Sequence, residues 1–366
     1  MYRIRLLRYN PAQSFRYGCP IVSNPLSLMP LGPLRGFRTE ARHPKTLRAG
    51  ISGRVFVALL GFGVGWALMS SSGESVTLGV LDMQRFQPFA IISKEAVSTT
   101  SSIYTVRPSL STPPTSDPYT PSWAQGLWSV EFKQPQLQIS RAYTPLPPTE
   151  STVLGDLRFL IRKEYKGEVS GYVDNLPIGG TIGIRGPKVE YEIPENVNEV
   201  VFLAGGTGIA PALQVAHTLL RRAPVGSQSP RVHILWANRR REDCEGSKLT
   251  PKSSWWFGAS KSPPIINQNV FTKELEELER MSGGRLIIDY LVDEEGSFID
   301  SAKILKAVGG SNGDKEHARF LMISGPEGFI KHFAGPKVWQ GGNEISGPIL
   351  GLLGDLRLPG WTVVKL

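Results

Sequence analysis

Hydrophobic and polar positions fall into two regimes along the chain. Between residues 86 and 107, apolar and β-branched residues surround the turn formers Ser98-Thr99-Thr100-Ser101-Ser102, which predicts two short antiparallel strands. Positions 108–122 are crowded with Pro, Ser and Thr and read as a surface loop. Further strands are expected at 127–132 and 156–163. Thr181-Ile182-Gly183-Ile184-Arg185 alternates as another, ending where Gly186-Pro187 should turn the chain. Short strands at this spacing make an antiparallel β-barrel of roughly 110–120 residues, assigned to 80–195.

From Glu199 the pattern changes. Val200-Val201-Phe202-Leu203-Ala204 is an unbroken apolar run, suited to a strand buried on both faces. Leu213, Ala216 and Leu220 then recur at helical spacing within 212–221. Strands are expected at 231–237, 285–291 and 319–323, with helices at 272–281 and 299–307. This alternation predicts a doubly wound parallel sheet over 196–366, so the fold class is α+β and α/β: a barrel domain followed by an α/β domain. Residues 245–269 exceed what such a domain needs; Trp255 and Trp256 within them either dock a partner or pack back onto the fold.

A third pattern precedes both domains. Residues 55–73 carry no charge, and as a helix they would reach about 28 Å, enough for one transmembrane helix; a buried or interfacial helix is the alternative. Charge sharpens this picture. The net charge of +9 resides in residues 1–54, which hold ten basic side chains against Glu40, leaving thirty-one of each sign in the rest. A nucleic-acid surface is therefore not supported. An Arg-rich, acid-poor start has the composition of a mitochondrial targeting segment, assigned to 1–48, with an unstructured basic tail as the alternative. Basic residues before the apolar run and few charges after it orient the body away from the matrix. With only Cys19 and Cys244, neither a disulfide framework nor a cysteine-based metal site is available to the folded part.

Arg141-Ala142-Tyr143-Thr144-Pro145 carries the first chemistry. Arg141 can offer a planar, bidentate cation to phosphate oxygens. In an extended segment Tyr143 falls on the same face, beside a ring or a polyol, and Thr144 can present a hydroxyl. Gly167-Glu168-Val169-Ser170 opens a short helix through Leu176, with free backbone N–H groups and a serine cap suited to an anion. Gly205-Gly206-Thr207-Gly208 follows the buried strand and opens a helix, the context of a dinucleotide loop. It is not the usual Rossmann fingerprint. Pro211 stands where a third glycine would be, and Trp236-Ala237-Asn238-Arg239 lacks the acid expected at the end of the next strand. Ser324-Gly325-Pro326-Glu327-Gly328-Phe329 follows another apolar strand, at the sheet end where open α/β folds bind ligands.

This ordered set resembles the ferredoxin-reductase-type flavoproteins, which include the NADH-cytochrome b5 reductases, over roughly residues 80–366. The resemblance implies FAD held by Arg141, Tyr143, Thr144, Pro145, Gly167, Val169, Ser170 and Thr207. It implies NADH or NADPH held by Gly205, Gly206, Thr207, Gly208, Ser324, Gly325, Pro326 and Phe329, with Thr144 and Ser324 beside the reacting atoms and no metal. Ser324 stands where the family carries cysteine. No residue of the segment from Gly360 to Leu366 is matched to the flavin-shielding aromatic of some relatives. Within the family the anchored arrangement is similar to the mitochondrial cytochrome c import factors. That implies a body facing the intermembrane space from the inner membrane, haem or cytochrome c as electron acceptor, and support of haem attachment. The alternatives are a b5-type acceptor and a binding factor without turnover. Arg239, Arg240 and Arg241 either grip a 2′-phosphate or form a solvated loop.

Overall fold

Apolar residues at every second position roll the first sheet around one core. In the computed structural model, which describes residues 80–109, 114–222, 230–246, 269–309, 318–340 and 343–366, this sheet has six antiparallel strands. They are β1 (Gln87–Ala96), β2 (Ser101–Pro108), β3 (Gly126–Gln134), β4 (Ile139–Tyr143), β5 (Leu157–Arg162) and β6 (Thr181–Glu192), in the order β4-β3-β6-β1-β2-β5. Just past β4, the Leu146 amide donates to the Arg158 carbonyl at 2.7 Å and bridges the two edges. Phe89, Ile91, Val106, Val130, Phe132 and Phe159 point inward and exclude water, the main source of stability here. Helix α1 (Thr120–Gln125) adds Trp123 to this core, and helix α2 (Glu168–Asn175) adds Val169 and Val173.

The far end of α2 is tied down by charge. Asp174 lies 2.5 Å from Lys94 and 2.6 Å from Lys163, and Tyr104 donates to it at 2.9 Å. Burial opposes ionisation of Asp174, but bonds from Lys163, Lys94 and Tyr104 outweigh it and hold the carboxyl well below the usual carboxylate range. This end of the helix is thereby fixed to β1, β2 and the residue after β5.

The second sheet contains β7 (Val197–Gly205), β8 (Arg231–Asn238), β9 (Leu286–Val292) and β10 (Ala318–Ser324). After a small hairpin, β11 (Val338–Gln340) and β12 (Asn343–Ile345), strand β13 (Thr362–Lys365) joins it; all five sheet members are parallel, in the order β13-β10-β7-β8-β9. The apolar run is buried on both faces. Val200 and Phe202 meet helices α3 (Ile209–Arg222) and α4 (Val270–Met281), whereas Val201 and Leu203 meet α5 (Ser301–Gly309), α6 (Glu327–Ala334) and α7 (Gly351–Leu356). The order reverses at β7, so its carboxyl end and that of β10 flank the crevice where such sheets take ligands.

The two sheets are joined along one edge of α3. Gln214, fully buried, accepts from the Trp128 amide at 3.0 Å and donates to the Pro145 carbonyl at 2.9 Å. One turn on, Thr218 donates to the Trp123 carbonyl at 3.0 Å, and a further turn on Arg222 reaches the Ile193 and Ala124 carbonyls. The bidentate Arg158–Glu274 pair and the Arg162–Asp243 pair complete the seam.

His217, beside this seam, packs edge-on against Trp123 at 5.4 Å. Burial, aided by the Arg221 charge, lowers its pKa from the ordinary value near 6.5 to about 4. The folded state therefore prefers neutral imidazole, and this contribution is complete above pH 6.5 and lost as pH falls towards 4. The shift corresponds to roughly 3 kcal/mol. Urea unfolding at pH 7 and pH 4.5 should show a smaller acid loss for His217→Leu than for the native chain; equal losses would remove His217 from the account.

Two expectations are corrected. Gly186-Pro187, joined by a cis peptide bond, does not turn the chain: β6 runs through it, and a register shift opposite Ser129–Glu131 absorbs the irregularity as a bulge. The end of segment 108–122 is not surface loop, since Tyr119 is buried and stacks on Trp128 at 5.8 Å. The last residues form edge strand β13. The targeting segment 1–48, the apolar run 55–73 and both Trp255 and Trp256 lie outside the described residues. Among the described residues no helix is long and apolar enough to cross a membrane. At the borders of the expected insertion, the Asn269 amide donates to the Glu245 carbonyl at 3.2 Å.

Candidate active site

Strand β4 delivers the Arg141 motif to a cavity of about 360 Å³. Arg141 is exposed and spends one N–H on its neighbour's carbonyl, Ser140 O, at 2.8 Å, which leaves the rest of the guanidinium for a ligand. Tyr143 lies on the same face and leans on Phe132, with ring centres 4.9 Å apart. Burial pushes its phenol up to about 12, so it stays protonated and can donate. Thr144 also lines the cavity. Pro145 does not: it is buried, and its carbonyl is taken by Gln214.

Helix α2 points its start at the same cavity, which Gly167, Val169 and Ser170 line. The Val169 side chain belongs to the barrel core, so only its backbone faces the space. Ser170 is not the cap. Gly167 occupies that position, and Ser170, three residues later, accepts from the Glu164 amide at 3.1 Å and shapes the entering loop. The first amide with an intrahelical acceptor is that of Gly171, donating to the Gly167 carbonyl at 2.8 Å. The amides of Glu168, Val169 and Ser170 thus form an anion-binding start. Together with Arg141, this donor set fits a pyrophosphate.

From the second sheet, Thr207, Gly208, Ser324 and Gly325 close the opposite wall of that cavity. The two loops touch backbone to backbone: a Cβ on Gly208 would lie 2.3 Å from the Ser324 carbonyl oxygen, so only glycine fits. Gly206 takes φ +54°, and its carbonyl accepts from the Trp236 indole at 2.8 Å, which pins the loop to β8. Gly205, Gly206, Pro326 and Phe329 face a second cavity of about 470 Å³. The glycine loop is therefore divided, its first half walling one cavity and its second half the other.

Arg162, absent from the sequence expectations, lines both cavities. It belongs to no local motif, and Asp243 of the α/β domain holds it at 2.7 Å. Asn238 and Arg239 also line the second cavity; in sequence they carry only the signals of a missing acid and of a phosphate grip. Arg240 and Arg241 turn instead to Glu242 and Glu295.

Comparison with known proteins finds a family match in each half of the fold. Residues 89–193 match the oxidoreductase FAD-binding domain family and residues 202–334 the oxidoreductase NAD-binding domain family. An NADH-cytochrome b5 reductase 1 of Kluyveromyces lactis is 32% identical over 165 residues, covering 45% of this chain and 56% of the relative. The cytochrome c mitochondrial import factor CYC2 of Saccharomyces cerevisiae is 42% identical over 90 residues, 21% of this chain and 25% of that protein. The chain thus spans about half the length, or less, of these curated relatives. The crystal structure of the cytochrome b5 reductase domain of Ulva prolifera nitrate reductase shares the fold, with TM-score 0.51 and 19% identity over 78% of this chain and 99% of that one.

Proposed function

Because the chain belongs to the ferredoxin-reductase-type family of FAD- and NAD-binding oxidoreductases, we propose that it takes hydride from NADH or NADPH and releases single electrons to a haem acceptor. One observation carries this reading: a single cavity joins Arg141, Tyr143 and Thr144 of the barrel to Thr207, Gly208 and Ser324 of the parallel sheet. Bound FAD supplies a two-electron acceptor that can return electrons one at a time. Arg141 and the first amides of α2 bind its pyrophosphate, and the Tyr143 O–H and Thr144 orient the remainder. Gly205, Gly206, Pro326 and Phe329 bind the nucleotide in the second cavity. Its reacting end would lie beside Thr207, Gly208 and Ser324, which wall the flavin cavity. Arg162, paired with Asp243, lines both cavities.

The finer reading is a chain anchored in the mitochondrial inner membrane, facing the intermembrane space and supplying electrons for haem attachment to cytochrome c. The Arg-rich start, the uncharged run 55–73 and the name of the yeast import factor support it. A b5-type haem protein is the second candidate acceptor, favoured by the names of other relatives. Absorbance of the purified protein decides the first question: NADH or NADPH should bleach a flavin spectrum anaerobically. Absence of flavin, or flavin that neither nucleotide reduces, would falsify the reductase reading and favour a binding factor. Reoxidation rates with haemin, cytochrome c and cytochrome b5 then rank the acceptors.

A further inference from the structure

The glycine loop after β7 is gripped at both ends and open in the middle. A Cβ on Gly205 would lie 2.9 Å from the Phe329 ring, and one on Gly208 would lie 2.3 Å from the Ser324 carbonyl oxygen, so packing fixes both flanks. A Cβ on Gly206 would meet nothing within 4 Å, and its φ of +54° is open to glycine in either sense of the backbone. Packing thus leaves the plane of the Gly206–Thr207 peptide unset. Two hydrogen bonds set it: the Gly206 carbonyl accepts from the Ile209 amide, which closes the first turn, and from the Trp236 indole at 2.8 Å.

Trp236 has no need of this bond to keep its place. Its ring is 1% exposed, on β8 opposite Ala204, edge-on to Phe271 at 5.8 Å and beside Tyr290 at 5.7 Å, a setting that suits an apolar ring equally well. Trp128, just as buried, leaves its indole nitrogen without a partner among the described residues, so the fold tolerates an unpaired indole N–H. The nitrogen of Trp236 instead ends on a loop that walls both cavities.

We propose that Trp236 is a positioning residue for the nicotinamide nucleotide: its indole N–H holds the Gly206 carbonyl towards β8 and so turns the Thr207 amide outward, as a donor to the arriving nucleotide. In a planar trans peptide the C=O and the following N–H point in opposite directions. With the carbonyl drawn to β8, the Thr207 amide faces away from the core, and Thr207 lines the flavin cavity. The first amides of such a helix start have no intrahelical acceptor and suit a ligand oxygen. A rotated peptide would present a carbonyl oxygen in their place and repel it. The inference rests on this loop being the nucleotide's site, as proposed above.

Calorimetric titration of the full-length, FAD-loaded chain with NAD⁺ and NADP⁺ tests this, with flavin content and unfolding temperature measured beside it. Trp236→Phe removes the donor but also leaves a gap beside Phe271. A second variant, Trp236→benzothienylalanine, keeps the shape of the indole and puts sulfur in place of its N–H. Both should bind nucleotide about three- to tenfold more weakly, the effect of one neutral hydrogen bond, with flavin content unchanged. A bond that serves only the fold would lower the unfolding temperature of the benzothienyl variant and leave its nucleotide affinity native. That result overturns the inference, as does a loss of flavin in step with the loss of nucleotide. A native chain that binds neither nucleotide defeats the nucleotide reading itself, an outcome distinct from failure of the variants alone.

Discussion

Arg141→Ala protein is expected to purify colourless, with its α/β domain folded. Two cationic side chains that could meet a phosphate line the flavin cavity, Arg141 and Arg162, and Arg162 is already paired with Asp243 at 2.7 Å. Among the described residues Arg141 bonds only the Ser140 carbonyl, so its loss takes most of the uncommitted positive charge from the wall. Charge-assisted bonds to phosphate contribute about 1.5–3 kcal/mol each, and two of them correspond to roughly 10²–10⁴ in FAD affinity. The exposed side chain contributes little to packing, so the fold should survive. The ratio of flavin to protein absorbance, with FAD titration of the deflavinated protein, measures this. Stoichiometric flavin in Arg141→Ala would refute the assignment.

The second large effect concerns stability. Gln214→Leu keeps the volume but leaves the Trp128 amide and the Pro145 carbonyl buried without partners. At about 1–3 kcal/mol for each of the two groups, the loss is about 2–6 kcal/mol, or roughly 5–20 °C in unfolding temperature. Because Pro145 adjoins Thr144, and α3 follows directly from the glycine loop, nucleotide-driven flavin reduction should slow as well. Calorimetry and stopped-flow bleaching read the two effects separately. A stability loss under about 1 kcal/mol would show that α3 is held mainly by Thr218, Arg222 and the ion pairs.

The order of elements was legible because each rests on local pattern. Period-two alternation in 181–185 and the apolar run 200–204 need no partner to be recognised, and glycine turns mark their ends. Segments failed to read where a distant neighbour decides the outcome. Strand β13 is four residues long and exists through pairing with β10. Gly186-Pro187 would end an isolated strand, but here a bulge opposite β3 carries the strand through. Tyr119 sits among turn-forming residues, yet the ring of Trp128 and the Gly155 carbonyl give it a buried place.

The functional motifs divide in the same way. Arg141, Tyr143 and Thr144 were readable because strand alternation alone puts the first two on one face, and the Gly205 to Gly208 loop because it links a buried strand to a helix. That Pro145 turns away to Gln214, that Ser170 braces a loop rather than capping a helix, and that Arg162 borders both cavities are products of packing between the two sheets. Trp236 is the sharpest case. Its sequence context marked only a missing acid, and its indole reaches the Gly206 carbonyl because β7 and β8 pair in register. Local periodicity and turn chemistry act over a few residues and determine which elements form. Hydrogen-bond satisfaction and cavity walls depend on residues far apart in the chain, and only the tertiary structure decides them.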